Sequence, residues 1–253
     1  MSILFSYGIN IMHKDKIYFK ALKTVPKFKF DHQISNIFDD MINRSVPGYQ
    51  SILKIIEYLS FRYVNENENI YDLGCSLGAS SLALLNGANN RNCNFFAIDS
   101  SLDMIEKSKI NISSKYPEEI INFIHDDIRN IKFSNTSFVS LNFTLQFLPI
   151  NERFDLIKSI KENMNKGGIL VLSEKINFND SFINKQKIDA HEKFKSKNNY
   201  TNLEIKQKKI ALDGVLFPEE IKEHVSRLNK IGFKKIYHVF QSINFMTMVI
   251  INE

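Results

Sequence analysis

The chain has no tryptophan, only two cysteines, and just nine glycines and five prolines among 253 residues. The cysteine shortage is the most restrictive of these. Cys75 and Cys93 form neither a CxxC pair nor a Cys/His cluster. That argues against a zinc site and a disulfide framework, and it fits a reducing compartment. No metal is expected. No apolar run approaches the roughly 20 residues needed to cross a bilayer. The opening "MSILFSYGINIM" has no basic segment before it and no small-residue cleavage site after it, so no signal peptide is expected. A long basic run is also missing. Lys and Arg outnumber Asp and Glu by 33 to 28, but the net +5 is scattered through the chain. Such an excess reads as solvated surface rather than a nucleic-acid footprint. A cytoplasmic protein with no membrane contact and no direct nucleic-acid contact is expected. The abundance of Asn, Ile, Lys and Phe reads as a coding bias.

What is present is an alternating pattern. Residues 1–29 are basic and aperiodic, and they are expected to form a poorly ordered extension before a single domain over 30–253. Two helices flank a turn at "SVPGY". The apolar strand "NIYDLG" follows, then the helix "SSLALL", the strand "CNFFAID", and a helix opened by Ser100 and Ser101. "INFIHDDI" and "SFVSLNFTLQF" read as the third and fourth strands. "NERFDLIKSIKENMN" reads as a helix stopped by Gly167-Gly168, before the fifth strand "ILVLSEK". A charged, helical insertion spans about 176–210. A helix with Pro218 in its first turn and Gly232 past its end follows, and then two strands with a very short link. Strands alternating with helices predict an α/β fold with a mostly parallel, seven-stranded Rossmann-like sheet and a C-terminal antiparallel hairpin.

The segment "GCSLG", Gly74 to Gly78, fits two chemistries. As G-x-S-x-G it matches the elbow that exposes a nucleophilic serine. As a glycine loop between strand and helix it suits a nucleotide. The elbow reading lacks context, because the loop follows the first strand and no histidine stands at a sensible strand end. The nucleotide reading accounts for more. Gly74 permits a tight turn, Gly78 permits close helix–strand packing, and backbone N–H groups between them are expected to face a ligand. Asp99 ends the second strand, where it can accept ribose hydroxyls. Asp127 and Ile128 end the third, where a carboxylate and an apolar side chain suit adenine. Ser76 replaces the middle glycine of a dinucleotide loop, and Asp72 stands two residues before Gly74. That arrangement favours a ligand with a cationic amino group and no phosphate, hence S-adenosyl-L-methionine and the class I methyltransferase fold.

"RSVPGY", "YDLGCSLGA", "LNFTLQFL", "GGILVLSEK" and "LEIKQKK" closely resemble the carboxy-S-adenosyl-L-methionine synthase family, from about Phe30 to the C-terminus. The resemblance implies a transferase that uses S-adenosyl-L-methionine as a substrate and prephenate as the carboxyl donor. Carboxy-S-adenosyl-L-methionine and phenylpyruvate leave, and the former supplies the carboxymethyl group for tRNA wobble-uridine modification by a separate enzyme. It also implies a homodimer with the insertion at the interface. By position, Tyr49 lies against the ligand, and Gly74, Cys75 and Ser76 lie beneath its methionine part. Asp99 and Ser100 meet the ribose, Asp127 and Ile128 hold the adenine, and Asn142 reaches in from the fourth strand. Lys209 stands where the family has an arginine that grips the new carboxylate from the partner subunit. Lysine keeps the charge and loses the bidentate fork, with Lys208 and Arg129 as candidate helpers. No residue is marked as a base, and the departing hydroxyl of prephenate is expected to take the methyl proton. The alternatives are an ordinary small-molecule methyltransferase and a binder of the metabolite without turnover.

Overall fold

The computed structural model describes residues 14–89, 91–116 and 121–253. Seven strands form one sheet: β1 (Asn69–Leu73), β2 (Asn94–Asp99), β3 (Ile121–His125), β4 (Thr136–Asn142), β5 (Met164–Lys175), β6 (Lys235–Ser242) and β7 (Phe245–Ile251). Their order is β3-β2-β1-β4-β5-β7-β6. β1 pairs in parallel with β2 and β4, as do β2 with β3 and β4 with β5. β7 runs antiparallel to both β5 and β6. The predicted sheet, with its terminal hairpin, is the observed one. All five residues of β1 and six of the seven in β4 are buried, as strands covered on both faces require.

The helices are α1 (His32–Ser35), α2 (Phe38–Ser45), α3 (Tyr49–Tyr63), α4 (Ala79–Ala88), α5 (Leu102–Ser113), α6 (Arg153–Glu162), α7 (Ser181–Lys197), α8 (Asn202–Leu212) and α9 (Ile221–Ile231). One layer, with Ile52 and Ile56 of α3, Leu84 of α4 and Ile105 and Ile112 of α5, packs on Phe95, Phe138 and Val171 of the sheet. On the other face, Leu156 and Ile160 of α6 and Leu228 of α9 pack on Tyr71, Val139, Leu170 and Met248. A third cluster joins Tyr18, Phe28, Ile34 and Met41 to Met104 of α5 and Ala211 of α8.

Several expectations need correction. Residues 14–29 are not a loose extension: Asp15, Tyr18 and Phe28 are buried. Gln207 of α8 donates to the Tyr18 and Lys20 carbonyls, and Phe28 N–H donates to the Ala211 carbonyl. Residues 1–13, with the supposed loose start, lie outside the described residues. The helix before "SVPGY" is split, because Ile37 leaves helical geometry at φ −122°. The helix from Arg153 stops at Glu162, and β5 begins at Met164, ahead of the glycines. Gly167 sits inside that strand at φ +83°, beside an irregularity in the β4–β5 pairing. Pro218 precedes α9, which Glu220 and Glu223 cap. The insertion is helical as expected, but α8 continues to Leu212.

Candidate ligand-binding cleft

A cleft of about 1050 Å³ opens at the carboxyl ends of the parallel strands, under the 14–30 segment, α2, α7 and α8. All the sequence-predicted positions line it: Tyr49, Gly74, Cys75, Ser76, Asp99, Ser100, Asp127, Ile128, Asn142 and Lys209. Ligand pockets ordinarily span roughly 300–1,000 Å³, so this one has room for more than one small molecule.

The glycine loop is built from its own backbone. Gly74 and Cys75 N–H both donate to the Ile98 carbonyl, at 2.8 and 2.9 Å, and Gly78 N–H donates to Cys75. Ser76 N–H donates to Asp99 Oδ2 at 2.9 Å. These amides therefore do not face a ligand, contrary to expectation, and the loop is no phosphate nest. Gly74 has φ +78°, and a Cβ there would stand 2.4 Å from Thr144 Oγ1. Only glycine lets the loop pass so close to the turn after β4. Gly78, at φ +87°, packs not on a strand but on Ser108 and Ile112 of α5. The Ser76 hydroxyl donates to the Met104 sulfur, not to a histidine, so the nucleophile reading has no base. Burial raises the Cys75 pKa well above its usual value, keeping it a neutral thiol. Asp72 is not a cleft residue. It is fully buried, accepts from Ser81 of α4 at 2.6 Å, and is pushed up to about 6 by burial.

Asp99 organises the mouth of the cleft. Its Oδ1 accepts from Ser101 N–H at 2.9 Å, which fixes the start of α5 while Oδ2 holds the loop. Each oxygen keeps a second lone pair for a ligand hydroxyl. Burial raises its pKa, and the Ser101 and Ser76 amides oppose that rise. Ser100 lines the wall beside it, its carbonyl 3.1 Å from His125 Nε2. Asp127 begins the short turn after β3, where the Arg129 guanidinium clasps both its oxygens and holds its carboxyl below the usual range. Arg129 also pairs with Glu152 and is thereby committed away from any carboxylate-gripping role. Ile128 is buried against the sheet's second core.

Asn142 closes β4. Its amide nitrogen donates to Ser80 Oγ at 2.8 Å, while its buried Oδ1 has no partner. An acceptor without a donor beside a glycine loop and two strand-end acids suits a ligand carrying an ammonium group. Tyr49 is buried at the start of α3, 6.5 Å from Phe143 ring to ring, and burial raises its pKa.

Sequence reading found only Lys209, and Lys208 as a helper, on the opposite wall. Lys175 from β5, Lys195 from α7 and Lys208 and Lys209 from α8 all line the cleft, with Glu192 among them. Lys209 is mostly exposed and pairs with Glu192 at 3.5 Å. Lys208 donates to Ser45 Oγ at 3.0 Å and is pushed down to about 7, by burial above all. His191 stands in this wall, with its Nε2 donating to the Ser45 carbonyl at 2.8 Å. Burial and nearby lysines push it down to about 3, so it is a neutral imidazole. These residues come from three distant segments; the resemblance signalled Lys209 and Lys208, and for the rest only the basic composition of the insertion gave a hint. Among the described residues, no group of three or more His, Cys, Asp or Glu side chains could hold a metal, and no helix is long and apolar enough to cross a membrane.

Residues 70–168 match the family model described as a methyltransferase domain. Over 238 residues the chain is 43% identical to a carboxy-S-adenosyl-L-methionine synthase from Shewanella sediminis, covering 94% of this chain and 98% of that one. It is 41% identical over 242 residues to the synthase of the same name from Haemophilus ducreyi, covering 96% and 99%. Among solved structures, magnesium protoporphyrin IX methyltransferase from Synechocystis, with bound S-adenosylhomocysteine, aligns at TM-score 0.58 and 12% identity, over 84% of this chain and 87% of that one. Human N-acetylserotonin methyltransferase with S-adenosylmethionine aligns at 0.55 and 13%, over 87% and 55%. At such identities the structural likeness establishes the fold.

Proposed function

The chain belongs to the carboxy-S-adenosyl-L-methionine synthase family, and from that footing we propose that it makes carboxy-S-adenosyl-L-methionine using prephenate as the carboxyl donor. Phenylpyruvate is the second product. The carboxylated product then serves tRNA wobble-uridine modification elsewhere, and the enzyme works in the cytoplasm as a homodimer.

The observation that carries this reading is the shared cleft. The residues that the resemblance assigns to S-adenosyl-L-methionine all line it, facing a wall of ammonium groups suited to an anionic co-substrate. In this reading Asp99 takes the ribose hydroxyls, Asp127 and Ile128 the adenine, and Asn142 Oδ1, which has no partner, the methionine ammonium. Bound there, S-adenosyl-L-methionine supplies a sulfonium-activated methyl carbon. The protein's part is to hold two ligands close and keep water out. Phe28, Phe30 and Phe147 supply apolar cover along the same cleft. His191, neutral and depressed to about 3, is a poor proton acceptor, which supports a proton route through the departing hydroxyl of prephenate. A His191→Ala variant with a collapsed rate and intact ligand binding would count against that route. Exposed Phe182, Ile183, Leu203 and Ile210 on α7 and α8 support self-association through the insertion.

Lys209 motivates one competing reading, an ordinary methyltransferase, because it replaces the arginine of the family and is tied to Glu192. Mass spectrometry of the cofactor, with and without prephenate, separates the two. A prephenate-dependent gain of one carboxyl, with phenylpyruvate appearing, is expected. Accumulation of the demethylated cofactor would establish the competitor.

A further inference from the structure

Five lysines line the cleft, Lys175, Lys195, Lys206, Lys208 and Lys209, with Glu192 of α7 and Asp213 at the end of α8 also in its lining. Lys209 and Glu192 pair with each other at 3.5 Å, and Lys208 is held by Ser45 Oγ at 3.0 Å. Lys206 is exposed on α8, which leaves Lys175 and Lys195 as the half-buried pair. Neither side chain makes a hydrogen bond or ion pair among the described residues, and both line the cleft. Removing an ammonium from water without a partner is unfavourable, and placing two where each feels the other adds repulsion. The effect is visible here: Lys175 is lowered by burial and then by Lys209, while Lys195 is pushed down to about 8 by burial and then by Lys175. Glu192 is the one nearby carboxylate acting in the opposite direction on both.

The backbone holds the pair in place. Lys175 ends β5, where its N–H donates to Gln146 Oε1 at 2.9 Å, and Gln146 in turn donates to the Phe143 carbonyl beside Asn142. One ammonium is thus anchored to the turn that follows the ligand-facing Asn142. The other comes from α7, whose His191 is anchored to Ser45 one helical turn earlier.

We propose that Lys175 and Lys195 together form the carboxylate receptor for the anionic co-substrate, as binding and positioning residues distinct from the adenosine-side contacts. The assignment rests on the synthase reading for the identity of the co-substrate, a dicarboxylate. Lys208 shapes the receptor through Ser45, and Lys209 with Glu192 forms its rim.

The test uses Lys175→Met, Lys195→Met and Lys195→Arg in the full chain, with prephenate as the probe. Calorimetry on the S-adenosyl-L-methionine-loaded protein is expected to show prephenate binding weakened about tenfold or more by each methionine variant. Lys195→Arg is expected to recover much of it, with S-adenosyl-L-methionine affinity changed less than twofold throughout. In turnover the loss is expected in KM more than in kcat. The methionine variants are also expected to melt at or above the parent temperature, because an unpaired repelling charge is gone. Lower melting with unchanged prephenate affinity would overturn the receptor, and so would equal weakening of both ligands. If the parent binds prephenate yet forms no carboxylated product, the synthase reading fails. The receptor then still stands or falls on the binding data.

Discussion

At the scale of single residues, the legible part of the site was the part with a local rule behind it. Asp99 and Asp127 could be found because ligands gather outside the carboxyl ends of parallel strands. The same rule says nothing about Lys175, Lys195 or His191, whose convergence depends on how the insertion folds back. Asp72 was misread for a related reason: its spacing to Gly74 was right, but its side chain turns inward to Ser81. Lys209, read from the resemblance as a departure from the family, lines the cleft and pairs with Glu192. Replacing it with arginine restores a fork able to grip a carboxylate with two parallel bonds. Lys209→Arg is expected to tighten carboxy-S-adenosyl-L-methionine binding by about 1 kcal/mol, or roughly fivefold. Unchanged affinity by calorimetry would remove this position from the carboxylate grip.

At the scale of elements, the alternation of strands and helices was plain because the apolar runs are long and continuous. The boundaries were less so. The start of β5 was hidden by Gly167-Gly168, which reads as a helix stop but lies within the strand. Behind that strand sits a buried polar group that no periodicity reveals. Arg153 of α6 is fully buried, pairs with Glu219 and donates to the Phe217 carbonyl at 2.7 Å. Glu174 of β5 is buried with neither oxygen bonded, and burial pushes it well above the usual range. His224 of α9 is buried with both ring nitrogens unpartnered and is pushed down to about 4, burial being the main cause and Glu219 the main opposition. A histidine depressed in the folded state binds its proton only on unfolding. Its stabilising share is full above its ordinary value of 6.5 and is lost as pH falls through about 4. The full shift corresponds to roughly 3 kcal/mol. Glu174, raised in the folded state, acts with the opposite sign over the acid range, so total stability is a poor probe. Urea unfolding of parent and His224→Leu isolates the histidine: the parent is expected to lose about 2–3 kcal/mol more than the variant between pH 7 and pH 4.5. Parallel profiles would mean that His224 titrates in the folded state as it does in the unfolded chain.

At the scale of the whole molecule, the architecture was legible and the reach of the N-terminal segment was not. Residues 14–30 have no period because they form no helix or strand. They are held instead by single contacts to distant elements. Asp15 accepts from Tyr200 at 2.5 Å, Leu22 N–H donates to Gln207, and the Phe30 carbonyl accepts from Ser101 at 2.5 Å. Phe28 and Phe30 then line the cleft. Deleting residues 1–29 removes two buried aromatic side chains, Tyr18 and Phe28, at about 1.5–3 kcal/mol each. The truncated protein is expected to melt about 10 °C lower and to bind S-adenosyl-L-methionine at least tenfold more weakly. Calorimetric binding and melting indistinguishable from the full chain would mean that the segment only lies over the site.

The glycine loop carries a consequence for the thermodynamics of recognition. The Gly74, Cys75, Ser76 and Gly78 amides are already bonded to Ile98, Asp99 and Cys75, so little backbone freedom remains to be lost when a ligand arrives. Association at this loop therefore carries a small conformational-entropy penalty, and the loop discriminates by shape rather than by adapting. Tuning of ligand choice falls to side chains on the walls, where a substitution leaves the socket itself undisturbed.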